Sequence, residues 1–446
     1  MIDRSHVDAT HDPGLRSWVE SANAPSSDFP LQNLPFGTFR REFEERPRVG
    51  IAIGDQVLDC VEAVRAGCFD ALDPAVRDAL QGWSLNALMA LGRRDARAVR
   101  RVASDMLAAT GAAAATARAI ADRILVPMAQ VSLLVPAEVG DYTDFYASVH
   151  HATRVGALLR PDSPLLPNYK WIPIGYHGRA SSIVASDTPV RRPWGQTRAG
   201  HDGPPVVGPS ASLDYEVELA VWVGGENALG SPVPIAAAGD RVWGLGLLND
   251  WSARDLQSWE YQPLGPFLSK SFATTVSPWV VTADALEPFR APRAARPAGD
   301  PAPLAYLDDP ADRARGAFAV TLEVTIRTAR MRTAGLPPHR LSVADASTLY
   351  WTPAQMVAHH TSNGCNLRPG DVLATGTVSG PSDDARGCLL EITRRGAEPV
   401  VLPSGETRTF LEDGDEVTIR GWCEREGARR IGFGECRGTV QPGTRL

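Results

Sequence analysis

The sequence predicts a mainly β protein of the α+β class, with a small β module, a helical segment and a larger β-rich domain. Between residues 29 and 60, short apolar runs are broken by proline and glycine, and Gly54–Asp55 is typical of a hairpin turn. Residues 71–125 are rich in alanine, leucine and arginine at helical spacing, which predicts two or three helices. From Val126 onward, strand-like runs alternate with loops rich in proline and glycine.

These changes of character divide the chain into three parts. Residues 1–27 are expected to form a flexible N-terminal extension, and residues 28–130 a small β domain that carries the helical segment. Residues 131–446 form the larger domain, which holds the candidate chemistry. A chain of 446 residues, 43% hydrophobic and 22% charged, is long enough for two domains with buried cores.

Short apolar runs bounded by turn residues predict the strands of the larger domain. They are Ser182–Val184, Tyr215–Val223, Phe318–Ile326, Val372–Thr377, Leu389–Thr393, Glu416–Ile419 and Arg430–Gly434. One helix is well marked, because Thr352 fits the N-cap, Pro353 the first turn and Asn363–Gly364 the stop.

The composition argues against several classes of partner. The formal charge is −7 without a basic block, so nucleic acid is not an expected partner. The six cysteines include no C-x-x-C pair, which favours neither a zinc site nor a disulfide framework. The N-terminal stretch is polar, and no apolar run is long enough to span a membrane. We therefore expect a cytoplasmic protein without a membrane partner.

Two glutamates in a strand-like segment are the first candidates for chemistry. In Ser212–Gly225 the alternation points Glu216 and Glu218 to one face, opposite the apolar residues. Two like charges on a buried strand face repel each other and are costly to desolvate, and a cation between them removes both costs. Asp250 and Asp144 add further oxygen ligands, and such a set favours Mg²⁺ or Ca²⁺ over zinc.

Each of these acidic residues also fits an ordinary structural role. By spacing alone, a solvated strand face is the more common setting for an E-x-E pair. Asp250 is equally well placed to cap a short helix over Trp251–Gln257.

The candidate general base lies in a pair of histidines. Ser148 fits the cap of a helix whose first turn holds His150 and His151, and the helix dipole there favours the neutral imidazole. Such a histidine serves as a base near neutral pH, although an isolated pair is more often structural. His359 and His360, inside the well-marked helix, are interpreted as structural.

Three cations lie near the acidic motifs in sequence: Arg254, Lys270 and Arg160. Arginine and lysine suit carboxylate substrates or a developing oxyanion, but they also form surface salt bridges of little consequence. Gln257 follows Arg254 by three positions, so the two side chains can converge on a helix. The chain has no G-x-S-x-G, no P-loop and no complete dinucleotide fingerprint.

Taken together, these segments resemble the fumarylacetoacetate hydrolase family over nearly the whole chain, from Phe29 to about Gly438. The matching stretches, in the family's order, are FPLQNLPFGTF, RVGIAIGDQVLD, GDYTDFY with HAT following, GYHGRASS, RRPWGQ, LDYEVELA, NDWSARDLQSWEYQPLGPFLSKSF, TTVSPWVV, NGCNLRPGDVLATGTVSGP, FLEDGDEV and RIGFGEC. The short E-x-E motif is shared by a wider superfamily, whereas the N-terminal stretches are more specific.

The resemblance implies a role for each candidate residue. A metal ion would be held by Asp144, Glu216, Glu218 and Asp250, with Lys270 and Thr274 close to it. His151 would be the base and Glu391 its orienting carboxylate. Negative charge in the reaction would be stabilised by Arg254, Gln257 and Lys270. The substrate-binding positions would be Tyr146, Arg160, Arg254, Gln257, Tyr261 and Thr377.

The resemblance also implies a fold, an assembly and a reaction. The fold would be a small Src-homology-like β-barrel followed by a mixed β-roll domain, and the protein a homodimer. The reaction would be metal-dependent hydrolysis of a carbon–carbon bond in a diketo-dicarboxylate, which gives fumarate and acetoacetate in the last step of tyrosine and phenylalanine degradation. An acylpyruvate hydrolase or a 2-oxo acid decarboxylase is the alternative. Such chains are usually much shorter and have no N-terminal module equivalent to residues 29–125 of this chain, so the presence of this module argues against the alternative. A third hypothesis is a metal-stabilised scaffold without activity. Such a protein would be expected to have lost the residues of the base and of the oxyanion site, but all of them are present here: His151, Glu391, Arg254, Gln257 and Lys270.

Overall fold

The computed structural model describes residues 7–198 and 203–445. Within these ranges the chain forms 26 strands and 13 α-helices, and its mainly β, α+β class is confirmed. The N-terminal strands are β1 (Phe36–Arg41), β2 (Arg48–Ile53), β3 (Gln56–Asp59), β4 (Leu125–Pro127) and β5 (Val131–Leu133). The N-terminal helices are α1 (Cys60–Arg65), α2 (Pro74–Leu80), α3 (Asn86–Leu91), α4 (Arg93–Leu107), α5 (Ala112–Ala119) and α6 (Ala121–Ile124).

The larger part carries the remaining elements. Its strands are β6 (Tyr142–Phe145), β7 (Gly175–Gly178), β8 (Ile183–Ala185), β9 (Val190–Arg191), β10 (Trp194–Thr197), β11 (Val206–Pro209), β12 (Leu213–Asp214), β13 (Val217–Val223), β14 (Val242–Asp250), β15 (Ser252–Ala253), β16 (Thr274–Val276), β17 (Trp279–Thr282), β18 (Arg290–Ala291), β19 (Ala317–Phe318), β20 (Thr321–Arg327), β21 (His339–Asp345), β22 (Val372–Ala374), β23 (Val400–Val401), β24 (Thr407–Arg408), β25 (Glu416–Cys423) and β26 (Ile431–Gln441). Its helices are α7 (Val149–Leu159), α8 (Ile235–Ala238), α9 (Arg254–Glu260), α10 (Pro310–Arg315), α11 (Ala329–Thr333), α12 (Pro353–Thr361) and α13 (Leu389–Ile392).

One sheet of 13 strands runs through both parts of the described chain. Its order is β4-β3-β2-β1-β17-β14-β13-β22-β6-β7, with β5, β8 and β16 attached beside it. The N-terminal strands join the larger part where Phe36 of β1 pairs with Val280 of β17. The N-terminal module therefore extends the central sheet rather than standing apart from it.

Strand β13 lies between two hydrophobic cores, which explains its almost continuous apolar sequence. Val217, Leu219 and Val221 pack in one core with the five-stranded sheet β21-β20-β25-β26-β9. Ala220 and Trp222 face the other core, which is shared with the N-terminal helices. The predicted alternation is confirmed, and the same register places Glu216 and Glu218 on the face opposite Val217.

The hairpin predicted at Gly54–Asp55 connects β2 to β3, since Ile53 pairs with Gln56. Gly54 has a φ of +57°, and a Cβ there would lie 2.6 Å from the backbone nitrogen of Ala22. Glycine is therefore required both by the turn and by the segment packed against it.

That segment corrects the prediction of a flexible extension. Residues 7–27 pack on helix α4: Ser17 donates to the carbonyl of Leu107 at 2.6 Å, and the Trp18 indole donates to Met106 at 2.9 Å. Val19 and Ala22 are buried, which was not evident from so polar a sequence. Residues 1–6, the remainder of the predicted extension, lie outside the described residues.

Two other predictions were wrong in detail. Residues 71–125 form five helices instead of two or three, because Gly92 and Gly111 have positive φ and separate α3 from α4 and α4 from α5. Leu389–Thr393, predicted as a strand, contains the single-turn helix α13. By contrast, helix α12 begins as predicted, with Thr352 in a capping box, and Gly364 after its end has a φ of +91°. Across the described chain, every helix is too short or too polar to cross a membrane.

Candidate active site

An acidic cluster lies where the ends of several strands meet. Asp144 is on β6, Glu218 is on β13 and Asp250 ends β14, and their carboxylate oxygens lie within 4.8 Å of one another. All three side chains are buried, so the E-x-E pair is not a solvated strand face. Asp250 does not cap a helix either, because helix α9 begins four residues later with Ala253 at its N-cap.

The cluster lacks the partners that buried carboxylates need. Among residues 7–198 and 203–445, no group donates a hydrogen bond to either oxygen of Glu218 or to Oδ1 of Asp144. Burial raises the pKa of Glu218 well above its usual range, and the charges of Asp144 and Asp250 raise it further. Burial likewise raises the pKa of Asp144 well above its usual range, together with the charge of Asp250. Buried oxygens without donors fit a hard divalent cation, which supplies the missing positive charge.

Glu216 differs from its neighbours because cations already hold it. The Lys270 ammonium bonds to Glu216, and the Arg254 guanidinium lies 2.9 Å from Glu216 Oε1. Burial alone raises the pKa of Glu216, but Arg254 and Lys270 outweigh it and bring that pKa below its usual range. Lys270 also donates to Asp250 Oδ2 at 2.5 Å. Burial lowers the pKa of Lys270, but Asp250 and Glu216 reverse this effect and raise it above its usual range.

Two hydroxyl groups complete the surroundings of Asp250. Thr274, on β16, lies beside Asp250 in the sheet register and donates to its Oδ1 at 3.4 Å. The Tyr176 hydroxyl donates to Asp250 Oδ2 at 3.1 Å. Asp250 is thus held by hydroxyl groups from two different strands, β16 and β7, as expected of a residue that orients a ligand or an ion.

A histidine–carboxylate pair lies next to the acidic cluster. His151 Nδ1 and Glu391 Oε1 are 2.6 Å apart, and both side chains are buried. Since the Glu391 carboxylate accepts a hydrogen bond from Nδ1–H, Nε2 is left as the basic nitrogen, 3.8 Å from Glu216 Oε1. Burial raises the pKa of Glu391, but His151, Ser379 and Arg154 outweigh it and lower that pKa to about 2.

Local hydrogen bonds fix the position of His151. Ser148 is the N-cap of helix α7, and its hydroxyl accepts a hydrogen bond of 3.2 Å from the backbone N–H of His151. The same hydroxyl donates to the carbonyl of Ser379 at 2.9 Å, and the Ser379 hydroxyl donates to Glu391 at 2.7 Å. The Tyr146 ring packs edge-on against the imidazole, with ring centroids 5.3 Å apart. The predicted cap at Ser148 is confirmed.

The acidic cluster and the histidine open onto a cavity of about 670 Å³. Ten of the residues predicted from sequence line it, namely Asp144, Tyr146, His151, Arg160, Glu216, Arg254, Gln257, Tyr261, Lys270 and Thr377. Gln257 accepts a hydrogen bond of 3.3 Å from Arg254 Nη1, so these two side chains converge as predicted. Asp250 and Glu391 bond to the lining residues Lys270 and His151, and a carboxylate oxygen of Glu218 lies within 4.8 Å of one of Asp144. Thr274 lies one step further back, since it donates to Asp250. His360, interpreted as structural, lies behind β6, with its Nε2 2.9 Å from the hydroxyl of Thr143.

Sequence reasoning did not single out several residues of this site. They are Asp214, which bonds to Arg254; Tyr176, which bonds to Asp250; and Ser379 and Cys388, which contact Glu391. Asp214, Tyr176 and Ser379 lie in the motifs LDYEVELA, GYHGRASS and GTVSGP. Position within a motif was therefore the only available signal, because their partners are distant in sequence.

Two family models match the chain. The model described as fumarylacetoacetate (FAA) hydrolase C-terminal covers residues 141–441, and the model described as fumarylacetoacetase N-terminal covers residues 32–136. The two matches meet close to the domain boundary suggested by composition.

Curated relatives match over almost their whole length. A fumarylacetoacetase of Caenorhabditis elegans is 48% identical over 94% of this chain and 97% of its own. Fumarylacetoacetases of Homo sapiens and Arabidopsis thaliana are each 44% identical, over 94% and 96% of this chain and 97% and 99% of their own. Among solved structures, a fumarylacetoacetate hydrolase from the psychrophile Exiguobacterium antarcticum matches with a TM-score of 0.50, over 92% of this chain and 99% of its own. Its sequence identity is only 18%, so this likeness supports the fold alone.

Proposed function

The chain belongs to the fumarylacetoacetate hydrolase family, and on this premise we propose that it hydrolyses fumarylacetoacetate to fumarate and acetoacetate. The observation that carries the proposal is one cavity lined by both a buried histidine–carboxylate pair and a buried acidic cluster. This reaction is the last step of tyrosine and phenylalanine degradation. The N-terminal domain, matched over residues 32–136, favours it over an acylpyruvate hydrolase or a decarboxylase.

In this proposal His151 is the general base. Nδ1 of His151 keeps its proton and donates a hydrogen bond to Glu391. The other nitrogen, Nε2, is therefore the one that takes a proton from a water molecule in the cavity. The water oxygen then forms a bond to the fumaryl carbonyl carbon. The carbon–carbon bond breaks, and its electron pair leaves with the acetoacetate fragment as an enolate, which takes the proton that His151 removed from the water.

Donors beside Glu216, which also lies next to His151, stabilise the negative charge in this proposal. Arg254, Gln257 and Lys270 are placed to bind the oxyanion of the tetrahedral intermediate, because their polar groups converge beside Glu216. Arg160, Tyr146, Tyr261 and Thr377 line the rest of the cavity and would bind the carboxylate ends of the substrate.

We further propose that Mg²⁺ or Ca²⁺ is the cofactor, held by Asp144, Glu216, Glu218 and Asp250, with Lys270 and Thr274 beside it. The all-oxygen donor set and the unpartnered oxygens of Glu218 support a hard ion. When bound, such an ion supplies a Lewis acid for the oxygens of the diketone.

The first experiment follows the ultraviolet absorbance of fumarylacetoacetate with purified protein, before and after chelation, and then with Mg²⁺ or Ca²⁺ restored. We expect the absorbance to fall only when metal is present, and fumarate and acetoacetate to appear in equal amounts. If the absorbance persists with metal present, the proposed reaction is excluded, and acylpyruvates and oxaloacetate are the substrates to test next.

We also propose a homodimer. The family resemblance suggests it, and exposed apolar side chains beside the cavity mouth support it: Leu264 is 95% exposed, and Phe267 and Leu268 also face solvent. Sedimentation equilibrium should give twice the chain mass of 47.8 kDa, and a monomer at micromolar concentration would exclude the proposal.

A cytoplasmic location is the remaining proposal. It is supported by the six cysteines, all of which are free thiols, as is usual in a reducing compartment. Cell fractionation followed by immunodetection tests it, and recovery in an oxidising compartment would exclude it.

A further inference from the structure

Asp214, the last residue of β12, connects two parts of the candidate site that are remote in sequence. Its side chain is fully buried and accepts four hydrogen bonds. Oδ1 accepts the backbone N–H groups of Tyr215 at 2.9 Å and Leu389 at 2.8 Å. Oδ2 accepts the backbone N–H of Leu390 at 2.9 Å and Nε of Arg254 at 2.9 Å.

The first connection is to the helix that carries Glu391. Helix α13 has a single turn, and an isolated turn of this length is unstable because nucleation costs more than its few hydrogen bonds return. Asp214 satisfies two of its first backbone N–H groups and so holds the helix start in place. Glu391 follows directly after Leu390. Its carboxylate therefore depends on these two hydrogen bonds for its position next to Nδ1 of His151.

The second connection is to Arg254. The ladder between β12 and β15 pairs Asp214 with Ser252 and brings the start of helix α9 beside it. With Nε bound to Asp214, the two terminal nitrogens of the guanidinium face Gln257 and Glu216. The arginine is thereby fixed in one orientation at the wall of the cavity.

We infer that Asp214 is a positioning residue that sets the distance between the orienting carboxylate of the base and the arginine on the oxyanion side. This inference rests on the proposed function for its kinetic consequences. It assigns Asp214 no contact with substrate, because Asp214 does not line the cavity.

The test variant is Asp214→Asn, which keeps the shape but replaces one accepting oxygen by an amide that donates. We expect kcat to fall by about 100-fold, the effect of misplacing a catalytic group by about 1 Å, with KM changed less than about threefold.

The matched control is Asp415→Asn, because Asp415 is equally buried but lies outside the site. Asp415 accepts hydrogen bonds from Arg408 Nε at 2.7 Å and from the backbone N–H of Glu412 at 2.9 Å. Both variants should unfold at a lower temperature than the wild type, and only Asp214→Asn should lose turnover.

A second measurement separates positioning from general damage. In a Glu391→Gln background, Asp214→Asn should lower kcat by a smaller factor than in the wild type, because the anchored carboxylate is already gone and only the placement of Arg254 is left to lose. If Asp214→Asn costs the same factor in both backgrounds, Asp214 does not act through Glu391 and the inference is overturned. If Asp214→Asn keeps wild-type kcat while its unfolding temperature falls, Asp214 is only a structural cap.

A spectroscopic readout keeps the inference testable apart from the reaction. In ¹⁵N-histidine-labelled protein, the hydrogen-bonded Nδ1 proton of His151, assigned by its loss in His151→Ala, should give a downfield resonance. We expect Asp214→Asn to shift or broaden it and Asp415→Asn to leave it unchanged. The wild-type protein could fail to hydrolyse fumarylacetoacetate while the resonance changes in Asp214→Asn and not in Asp415→Asn. In that case the proposed function fails and the positioning role stands. An unchanged resonance in Asp214→Asn overturns the positioning role.

Discussion

Replacing His151 by alanine is expected to lower kcat by about three orders of magnitude, within the usual contribution of a general base, and to change KM by less than about threefold. The reason is geometric. His151 is the imidazole that lines the cavity with one nitrogen committed to Glu391, so the other is free to take a proton. The oxyanion donors and the acidic cluster remain in the variant, and binding of a product such as fumarate should persist.

His150→Ala is the matched control for this prediction. His150 is the preceding residue in the first turn of α7, is only partly buried, and does not line the cavity. Turnover is measured by the ultraviolet assay, and fumarate binding by calorimetry. If His151→Ala retains turnover and His150→Ala loses it, the base is His150; if both retain it, neither histidine is the base.

The local features of the site could be predicted because they are encoded within a few residues. The cap at Ser148 and the alternation around Glu216 and Glu218 depend on near neighbours in the chain, and the structure reproduces both. Whether the E-x-E pair is solvated or buried was not a local property. It is decided by distant segments that pack on the face of β13 that Glu218 shares with Ala220 and Trp222, because the second core covers that face.

The features that sequence reasoning missed depend on distant partners. Leu389–Thr393 has the apolar, bounded pattern of a strand, and it forms a helix because Asp214, 175 residues earlier, accepts its first backbone N–H groups. Residues 7–27 are polar enough to suggest a flexible extension, and they are ordered because α4 offers carbonyl groups to Ser17 and Trp18. The resemblance to a family could supply the role of Glu391, but not the hydrogen bonds that hold it.

The second large effect is expected from Glu218→Gln. Glu218 is fully buried, and neither of its oxygens accepts a hydrogen bond within the part of the chain that the structure describes. Its charge in the metal-free protein is therefore opposed by desolvation and by Asp144 and Asp250. Glutamine has nearly the same shape without the charge. In chelator, the variant should therefore unfold at a higher temperature than the wild type, an unusual direction for a core substitution.

Added Mg²⁺ or Ca²⁺ should reverse this order. An ion that binds only the folded chain stabilises it by about 2.7 kcal/mol at about 100 times its Kd, so the wild type should gain several degrees. Losing a residue that merely orients a ligand costs about 10- to 100-fold in metal affinity, so losing Glu218 should cost at least as much if it is a ligand as proposed. The variant should gain little from the same ion concentration and should lose most of its turnover.

Thermal unfolding and calorimetric titration with each ion measure the two halves of this prediction. Glu323→Gln, a partly buried glutamate on β20 of the other sheet, is the control and should keep both turnover and the metal-induced rise. A metal-induced rise in Glu218→Gln equal to that of the wild type would show that Glu218 is not a ligand. A lower unfolding temperature than the wild type in chelator would show that its carboxylate is not strained by burial. The difference in unfolding temperature between Glu218→Gln and the wild type should be positive in chelator and negative with metal. A simple loss of packing does not give this result, because a packing defect lowers stability in both conditions.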